Sequence, residues 1–368
     1  MELVLLLVFV NLIVLVFTYT NGFHDAANAI ATVVGTRVLT PRQAVIMGAI
    51  TNFLGALSGV AVAKTVGAGL VDANSVTTVT ILCAMLAGIV WNIVTWYYGL
   101  PSSSSHALIG GLLGAALATA HNNWAVIKWS VAKTEPKTGK IVMDGLYHKV
   151  VIPMVSSPLI GFVGGMLVMG LMFAIIRHMR PKFVNDLFGK LQLVSASYMG
   201  WAHGFADGQK TMGIMALACY AATKHGDLKD MPRWLDFLST PQFEIKTWVK
   251  CVCGLAMAFG TYSGGWRIIQ TLGRKMVKLR PVHGFAAEAT GATLLMVTGK
   301  LGMPISTTHA ITTSIMGVGC ARRFSALDWT LVERILWTWV LTLPATACLA
   351  YGIVWLIQTS SLLWRAPH

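Results

Sequence analysis

The sequence predicts an all-α, polytopic membrane protein made of two inverted repeats of transmembrane helices, with broken or re-entrant helices meeting near the bilayer midplane. Three observations carry that expectation. The 368 residues are 55% hydrophobic and only 11% charged, with mean hydropathy +0.66, whereas soluble domains carry about 25% charged residues. Residues 73–127, 151–176 and 335–364 contain no Lys, Arg, Asp or Glu; each reaches or exceeds the roughly 20 residues that cross a bilayer as a helix. Two motifs also occur twice in the same order: NGFHDAAN at 21–28 returns as HGFADGQK at 203–210, and PSSSSH at 101–106 returns as PISTTH at 304–309. Duplication with interrupted hydrophobic segments at matched positions points to the binding site of a secondary transporter.

Taken in order, residues 3–20 form a first helix. No Lys or Arg precedes it, the first being Arg37, so it reads as a retained membrane helix rather than a signal peptide. Asn21-Gly22 is expected to interrupt it before a short apolar run at 26–35. A break at membrane depth is tolerated only where protein or a watery cavity receives the freed backbone groups, so this one faces inward. Spans at 42–63 and 76–98 follow, with Gly48, Gly55 and Gly59 suiting close helix packing in lipid. Pro101 opens a short segment ending near Ala120. The polar stretch 121–150, with Lys133, Glu135, Pro136, Lys137, Gly139, Lys140, Asp144 and Lys149, reads as a soluble loop, and the span 151–176 closes a first repeat of residues 1–176.

Residues 177–190 are the expected connecting loop, and the second repeat covers 191–368. It restarts with 191–223, continues through a charged loop at 224–246, and has spans near 247–264, 282–299, 304–320 and 335–359, with a basic segment at 267–280. Asp207 follows Asp25 by 182 positions, whereas His309 follows His106 by 203. The second half therefore holds 21 extra residues between its motifs, and the 224–246 loop has the size of that insertion.

The net charge of +14 would suggest nucleic acid in a soluble protein. Here the basic residues cluster in connecting segments such as 177–190 and 267–280, as cytoplasmic loops do. This reading excludes a nucleic-acid partner and puts the N-terminus outside. The six cysteines show no CxxC spacing, so neither a disulfide framework nor a metal site is expected. No cofactor is expected either, because the 18 methionines and 13 tryptophans read as packing and interface residues.

Of the fourteen Asp and Glu, three lie within apolar stretches: Asp25, Asp207 and Glu288. An ionisable group there costs at least roughly 2.5–3.5 kcal/mol on insertion scales, which makes it a functional candidate. These three are assigned to cation coupling together with His24, which adjoins Asp25 and belongs to the residue type that titrates near neutral pH. The Pro-x-Ser-Ser/Thr-Ser/Thr-His segments suit an anion. Proline favours a first helical turn, hydroxyls cap it, and the free N–H groups at the positive dipole end attract negative charge. Two such ends, one from each half, could grip one tetrahedral oxyanion. Lys210 stands where the first copy has Asn28, either as an anion ligand or as counter-ion to Asp207. His106 and His309 occupy matched positions and read as hydrogen-bonded structural residues.

The ordered set NGFHDAANA, PSSSSHA, HGFADGQKTMG and PISTTHA resembles the inorganic phosphate transporter (PiT) family, whose members carry a GANDxAN-like motif in each half, and the resemblance spans nearly the whole chain. It implies an all-helical fold of two inverted repeats, often dimeric, that moves inorganic phosphate with sodium or protons across a bacterial-type inner or plasma membrane. It further implies that Asp25, Asn28, Asp207, Gln209 and Lys210 line the site with the hydroxyls of Ser103, Ser104, Ser105, Ser306, Thr307 and Thr308. Members of the family usually carry asparagine immediately before each aspartate; His24 and Ala206 stand there in this sequence. A histidine or alanine is a poorer oxygen environment for a hard cation, so protons are the expected coupling ion over sodium.

Three rival readings remain open at this level. One is a permease of the same fold for sulfate or another oxyanion. Another is a membrane-embedded hydrolase with Ser104 or Thr307 as nucleophile, weakened because hydroxyls and histidines occur twice with no asymmetric triad. A passive anion channel is the third, and duplicated carboxylates in its pathway would make poor sense.

Overall fold

A computed structural model describes residues 2–134, 141–228, 231–321 and 323–360. Glu135, Pro136, Lys137, Gly139 and Lys140 of the first polar loop, and Lys229 and Asp230 of the second, lie outside the described residues. The first half comprises α1 (Glu2–His24), α2 (Ala26–Gly35), α3 (Pro41–Leu57), the short α4 (Ala61–Lys64) continued by a wide turn at Thr65–Gly69, α5 (Thr78–Tyr97), α6 (Ser104–Thr119) and α7 (Ile152–Ile176). The second half repeats the sequence of elements: α8 (Pro181–His203), a wide turn at Gly204–Gly208, α9 (Gln209–Lys224), α10 (Thr247–Ser263), the short α11 (Trp266–Gln270) continued by a wide turn at Thr271–Lys275, α12 (Pro281–Lys300), α13 (Thr307–Cys320) and α14 (Trp329–Ser360).

Five of the expectations change. Asn21 and Gly22 stay helical, and the irregular residue is Asp25 (φ −91, ψ 4), because helical hydrogen bonding continues up to Asp25 N–H on Asn21 O at 2.8 Å. The connecting loop expected at 177–190 shrinks to a turn before Pro181, where proline starts α8. The span expected at 42–63 bends by 64° between α3 and the α4 segment. Its match, the basic stretch 267–280, expected to be partly amphipathic, is the short α11 and its wide turn, packed on α2. The expected soluble loop at 121–150 contains a two-stranded hairpin, β1 (Val131–Thr134) with β2 (Ile141–Asp144). Lys133 pairs with Asp144 across it. Partial burial pushes the Asp144 carboxyl up, but Lys133 and the Gly145 N–H outweigh that and hold it below the ordinary carboxylate range.

The two halves interlock. α6 packs on α14 while α13 packs on α7, and α1 lies on α10 while α8 lies on α3. Close approach explains a glycine shared by both motif copies: a Cβ at Gly22 would collide with the Met257 carbonyl, and one at Gly204 with the Asn52 carbonyl. The matched helices α3 and α10 run antiparallel, with Gly48 facing Thr261 and Ala56 facing Gly254. Among the described residues four helical segments are long and apolar enough to cross a membrane, five if the bent α3–α4 pair is one span. Large apolar side chains such as Leu159, Val163 and Leu167 of α7 and Trp337, Val340 and Leu341 of α14 point outward, as a lipid-facing surface requires.

Candidate functional site

The helix breaks at Asp25 and Gly204–Gly208 face the starts of α6 and α13, and every residue from Ser102 to His106 and from Ser306 to His309 is buried. Wide turns inside helices frequently mark functional sites, and here one brings Asp207 onto the inner face. Asp25 Oδ1 lies 2.6 Å from His24 Nδ1 and accepts from the Ser104 hydroxyl at 3.1 Å; its Oδ2 has no partner among the described residues. Asp207 Oδ2 accepts from the Thr307 hydroxyl at 2.8 Å, the matched contact in the other half. Its Oδ1 pairs with Lys210 Nζ at 2.5 Å.

The last residue of each motif, Asn28 or Lys210, reaches across the molecule. Asn28 Nδ2 donates to Thr307 Oγ1 at 3.1 Å and Thr308 Oγ1 at 2.9 Å, so a first-half amide holds the second half's helix start. Lys210 Nζ donates to Ser105 Oγ and to the Ile305 carbonyl, so a second-half ammonium holds the first half's helix start. An ammonium has three donors, and Lys210 spends all three on Asp207, Ser105 and Ile305. Lys210 is thus the counter-ion of Asp207 in this conformation, and it must release a partner to meet any anion.

Nine of the thirteen residues singled out in the sequence converge here: Asp25, Asp207, His24, Asn28, Lys210, Ser104, Ser105, Thr307 and Thr308. Three placements differ from expectation. Ser103 and Ser306 accept from the N–H of His106 and His309, both at 3.1 Å, so their oxygens cap α6 and α13. Gln209 points away, its Oε1 accepting from Val62 N–H at 2.9 Å and its Nε2 donating to the Phe205 carbonyl at 2.6 Å; it braces the wide turn against α4. Glu288 forms a separate cluster. It accepts from Thr32 Oγ1 at 2.5 Å, Gln192 Nε2 at 3.0 Å and the Ser195 hydroxyl. Thr32 lies one turn beyond Asn28 on α2, which links the cluster to the central site.

Several participants escaped the sequence reading. His203, inside the second motif copy, lies 3.2 Å from Asp207 Oδ2 through Nε2 and 3.0 Å from Asn52 Oδ1 through Nδ1. Asn52 donates in turn to Thr261 at 2.8 Å; an asparagine in the middle of an apolar span was the available signal. His24 Nε2 faces Thr95 at 3.0 Å and Ser102 at 3.3 Å. His106 and His309 meet edge to face, centroids 4.9 Å apart, and none of their four ring nitrogens has a hydrogen-bond partner among the described residues. The hydrogen-bonded role expected of them is therefore not what this arrangement holds.

Ligand atoms of Asp25, His203 and Asp207 lie within 4.8 Å of one another and could hold a small cation. Among the described residues Ser104 forms no hydrolytic triad: His24 turns the same nitrogen, Nδ1, to both Ser104 (3.4 Å) and Asp25 (2.6 Å), whereas a relay needs one ring nitrogen for each.

The profile of the phosphate transporter family matches residues 21–350, a range that includes both motif pairs and all the contacts above. The chain belongs to the phosphate transporter family. Among its relatives, a probable low-affinity inorganic phosphate transporter of Rhizobium meliloti (strain 1021) is 43% identical, with 94% of each chain covered. One of the same description from Bacillus subtilis (strain 168) is 39% identical over 94% of this chain and 96% of the relative. The solved structure of "the sodium-dependent phosphate transporter" has a TM-score of 0.78 and 22% identity, covering 97% of this chain and 100% of that one; at that identity the likeness concerns the fold. This phosphate transporter is an integral membrane protein and not an enzyme.

Proposed function

We propose that this transporter is a symporter that moves inorganic phosphate together with protons across a bacterial-type inner membrane, using one central site shared by two inverted repeats, 1–176 and 191–368. The observation that carries the proposal is the reciprocal crossing: Asn28 on Thr307 and Thr308, Lys210 on Ser105, each motif holding the other half's helix start. Phosphate would bind between the starts of α6 and α13, where first-turn N–H groups lack intrahelical acceptors. The hydroxyls of Ser104, Ser105, Thr307 and Thr308 would exchange their carboxylate and amide partners for phosphate oxygens. The relatives' descriptions favour phosphate over sulfate, and the antiparallel contact of α3 with α10 favours inversion.

Charge accounting explains the coupling. Two carboxylates and one ammonium leave the centre short of positive charge, and like charges a few ångströms apart repel by several kcal/mol at an effective dielectric near 20. An entering phosphate must bring a cation. Protons taken up at Asp25, at His24 beside it and at Glu288 would meet that need and make the loading of cation and anion mutually favourable. The imidazole nitrogens at both aspartates, His24 and His203, favour a proton over sodium, because hard cations prefer all-oxygen shells. A homodimer is the assembly we infer from the family resemblance.

Uptake of labelled phosphate into proteoliposomes under separately imposed pH and sodium gradients tests the reading. Accumulation driven by an inward proton gradient without sodium is expected. Accumulation that follows sodium alone would overturn proton coupling, and accumulation under neither gradient would overturn symport.

A further inference from the structure

One charged feature shares no residue with the central site. Beyond the wide turn at Thr271–Lys275, a cavity of about 670 Å³ opens between the start of α12, the end of α13 and the start of α14, lined by Arg274, Lys275, Lys278, Arg280 and Arg323. That volume is in the range of small-molecule sites, about 300–1,000 Å³, and far exceeds the needs of a single buried water. All five basic side chains are exposed, and among the described residues none has a carboxylate within 4.0 Å. The cavity's acid, Asp328, is already engaged: its Oδ1 accepts from Leu331 N–H at 3.1 Å at the start of α14.

Placement in cytoplasmic connecting segments accounts for an excess of basic residues, but not for their convergence on one cavity. The matched stretch of the first half, residues 68–77, contains no Lys or Arg and one acid, Asp72, and residues 119–123, matched to the turn carrying Arg323, contain neither. A pocket that gathers five cations without pairing them raises the energy of each, and a polyanion relieves all of them together. Apolar walls supplied by Val318 and Leu327 leave room for more than a free ion. Basic pockets between membrane helices hold phosphorylated head groups by the same physics, and arginine's planar fork matches phosphate oxygens in pairs.

We infer that this cavity is a second anion site, separate from the transport site, that gathers phosphate-bearing groups, either those of one soluble polyphosphate or the head groups of several anionic phospholipids. Its floor belongs to the segment that packs on α2, and Asp328 N–H donates to Met276 O at 3.2 Å, so an occupant clamps the α11–α12 connection to the base of α14.

The test uses the full-length protein purified in a neutral detergent. In one arm, labelled inorganic triphosphate is dialysed to equilibrium. One saturable site per chain is expected, weakened at least tenfold by the triple variant Arg274→Gln/Lys278→Gln/Arg323→Gln and unchanged by Asp207→Asn. In the other arm, the protein is reconstituted in bilayers of phosphatidylcholine with or without phosphatidylglycerol. A rise in thermal midpoint with phosphatidylglycerol that the triple variant loses assigns the site to lipid. Triphosphate binding without that lipid effect assigns it to a soluble ligand, and both together mean that the two compete for one pocket. Absence of both effects overturns the inference. So does an equal loss in the control Arg177→Gln/Lys182→Gln/Lys190→Gln, which would mark non-specific attraction to a basic face. Should the triple variant fail to fold, the single variants Lys278→Gln and Arg323→Gln are measured instead, each expected to weaken triphosphate binding or the lipid effect about threefold; unchanged values in both overturn the inference.

Discussion

Four positions that are polar in one cluster at the meeting of the two halves are apolar in the matched cluster. Glu288 with Thr32, Gln192 and Ser195 forms a buried hydrogen-bonded cluster, and the matched residues of the other half are Met85, Ile214, Val10 and Ile13, part of a continuous hydrophobic cluster. The surrounding packing is otherwise equivalent: Gly88 lies against Phe17 as Gly291 lies against Met199. Near-symmetry at the aspartates therefore coexists with strong asymmetry two turns away. In a transporter whose halves are inverted, matched positions lie on opposite sides of the centre. A carboxylate present on one side alone gives protons one stopping place that the other route lacks. Under the proposed mechanism, the comparison means that the two halves share the substrate site and divide the coupling.

The largest expected effect breaks the symmetric part. Asp25→Asn or Asp207→Asn removes a carboxylate while keeping side-chain shape, and each should abolish gradient-driven accumulation of phosphate, with exchange across a pre-loaded membrane retained. The readout is labelled phosphate in proteoliposomes under an imposed pH gradient. Two variants that concentrate phosphate like the parent would make both aspartates structural.

Next comes the asymmetric part. Glu288→Gln keeps an acceptor for Thr32 and Gln192 but loses the charge, and it should lower proton-driven accumulation about tenfold, equivalent to about 1.4 kcal/mol, with the apparent affinity for phosphate within twofold. The reciprocal change, Met85→Glu, puts a carboxylate among Val10, Ile13 and Ile214, which offer no side-chain donor, so the protein should fail to accumulate in folded form. Full coupling in Glu288→Gln, or a well-folded Met85→Glu, would erase the distinction between the halves.

These contrasts also mark how far the sequence could be read. Duplication made the centre legible, since matched motifs had to be matched places, and the lone carboxylates in apolar stretches stood out by their insertion cost. What stayed hidden was how polar atoms are spent. Nothing in PSSSSH tells which serine caps the helix, yet Ser103 does so while Ser104 faces Asp25. Gln209 sits two residues from Asp207, but the wide turn rotates it onto Val62. The Asn21-Gly22 pair reads as a break in water, whereas in a crowded membrane interior glycine stays helical to admit a neighbouring backbone, and the irregularity moves to Asp25. Long-range pairing of His203 with Asn52, and of Asn52 with Thr261, required the packing of α3, α8 and α10 to be known.

A smaller effect is expected at the hydroxyls facing the aspartates. Ser104→Ala and Thr307→Ala each remove one donor to a carboxylate and, under the proposed mechanism, one donor to phosphate. A hydrogen bond to a charged group contributes roughly 1.5–3 kcal/mol, so each variant should weaken apparent phosphate affinity roughly tenfold or more at unchanged expression. Because the two contacts are matched, the two losses should agree within a factor of about three, a spread set by the usual context dependence of such bonds. Loss in one variant only would show that the halves also divide substrate binding, and unchanged affinity in both would remove the oxyanion site from the α6 and α13 starts.

The smallest effect concerns the caps, and it separates holding a helix from holding a substrate. Ser103 and Ser306 each accept from the N–H three residues ahead, and replacing an N-cap serine by alanine costs about 1 kcal/mol. Ser103→Ala and Ser306→Ala should therefore lower the thermal midpoint in detergent by about one to two degrees each. Their apparent phosphate affinity should stay within about twofold of the parent, since the capping oxygen faces its own helix and not the space between Asp25 and Asp207. Asparagine, another good cap, should restore the midpoint at both positions. If affinity instead falls as far as in Ser104→Ala, with the midpoint unmoved, the capping serines are substrate ligands and the geometry of the two helix starts changes during transport more than the crossing contacts of Asn28 and Lys210 allow.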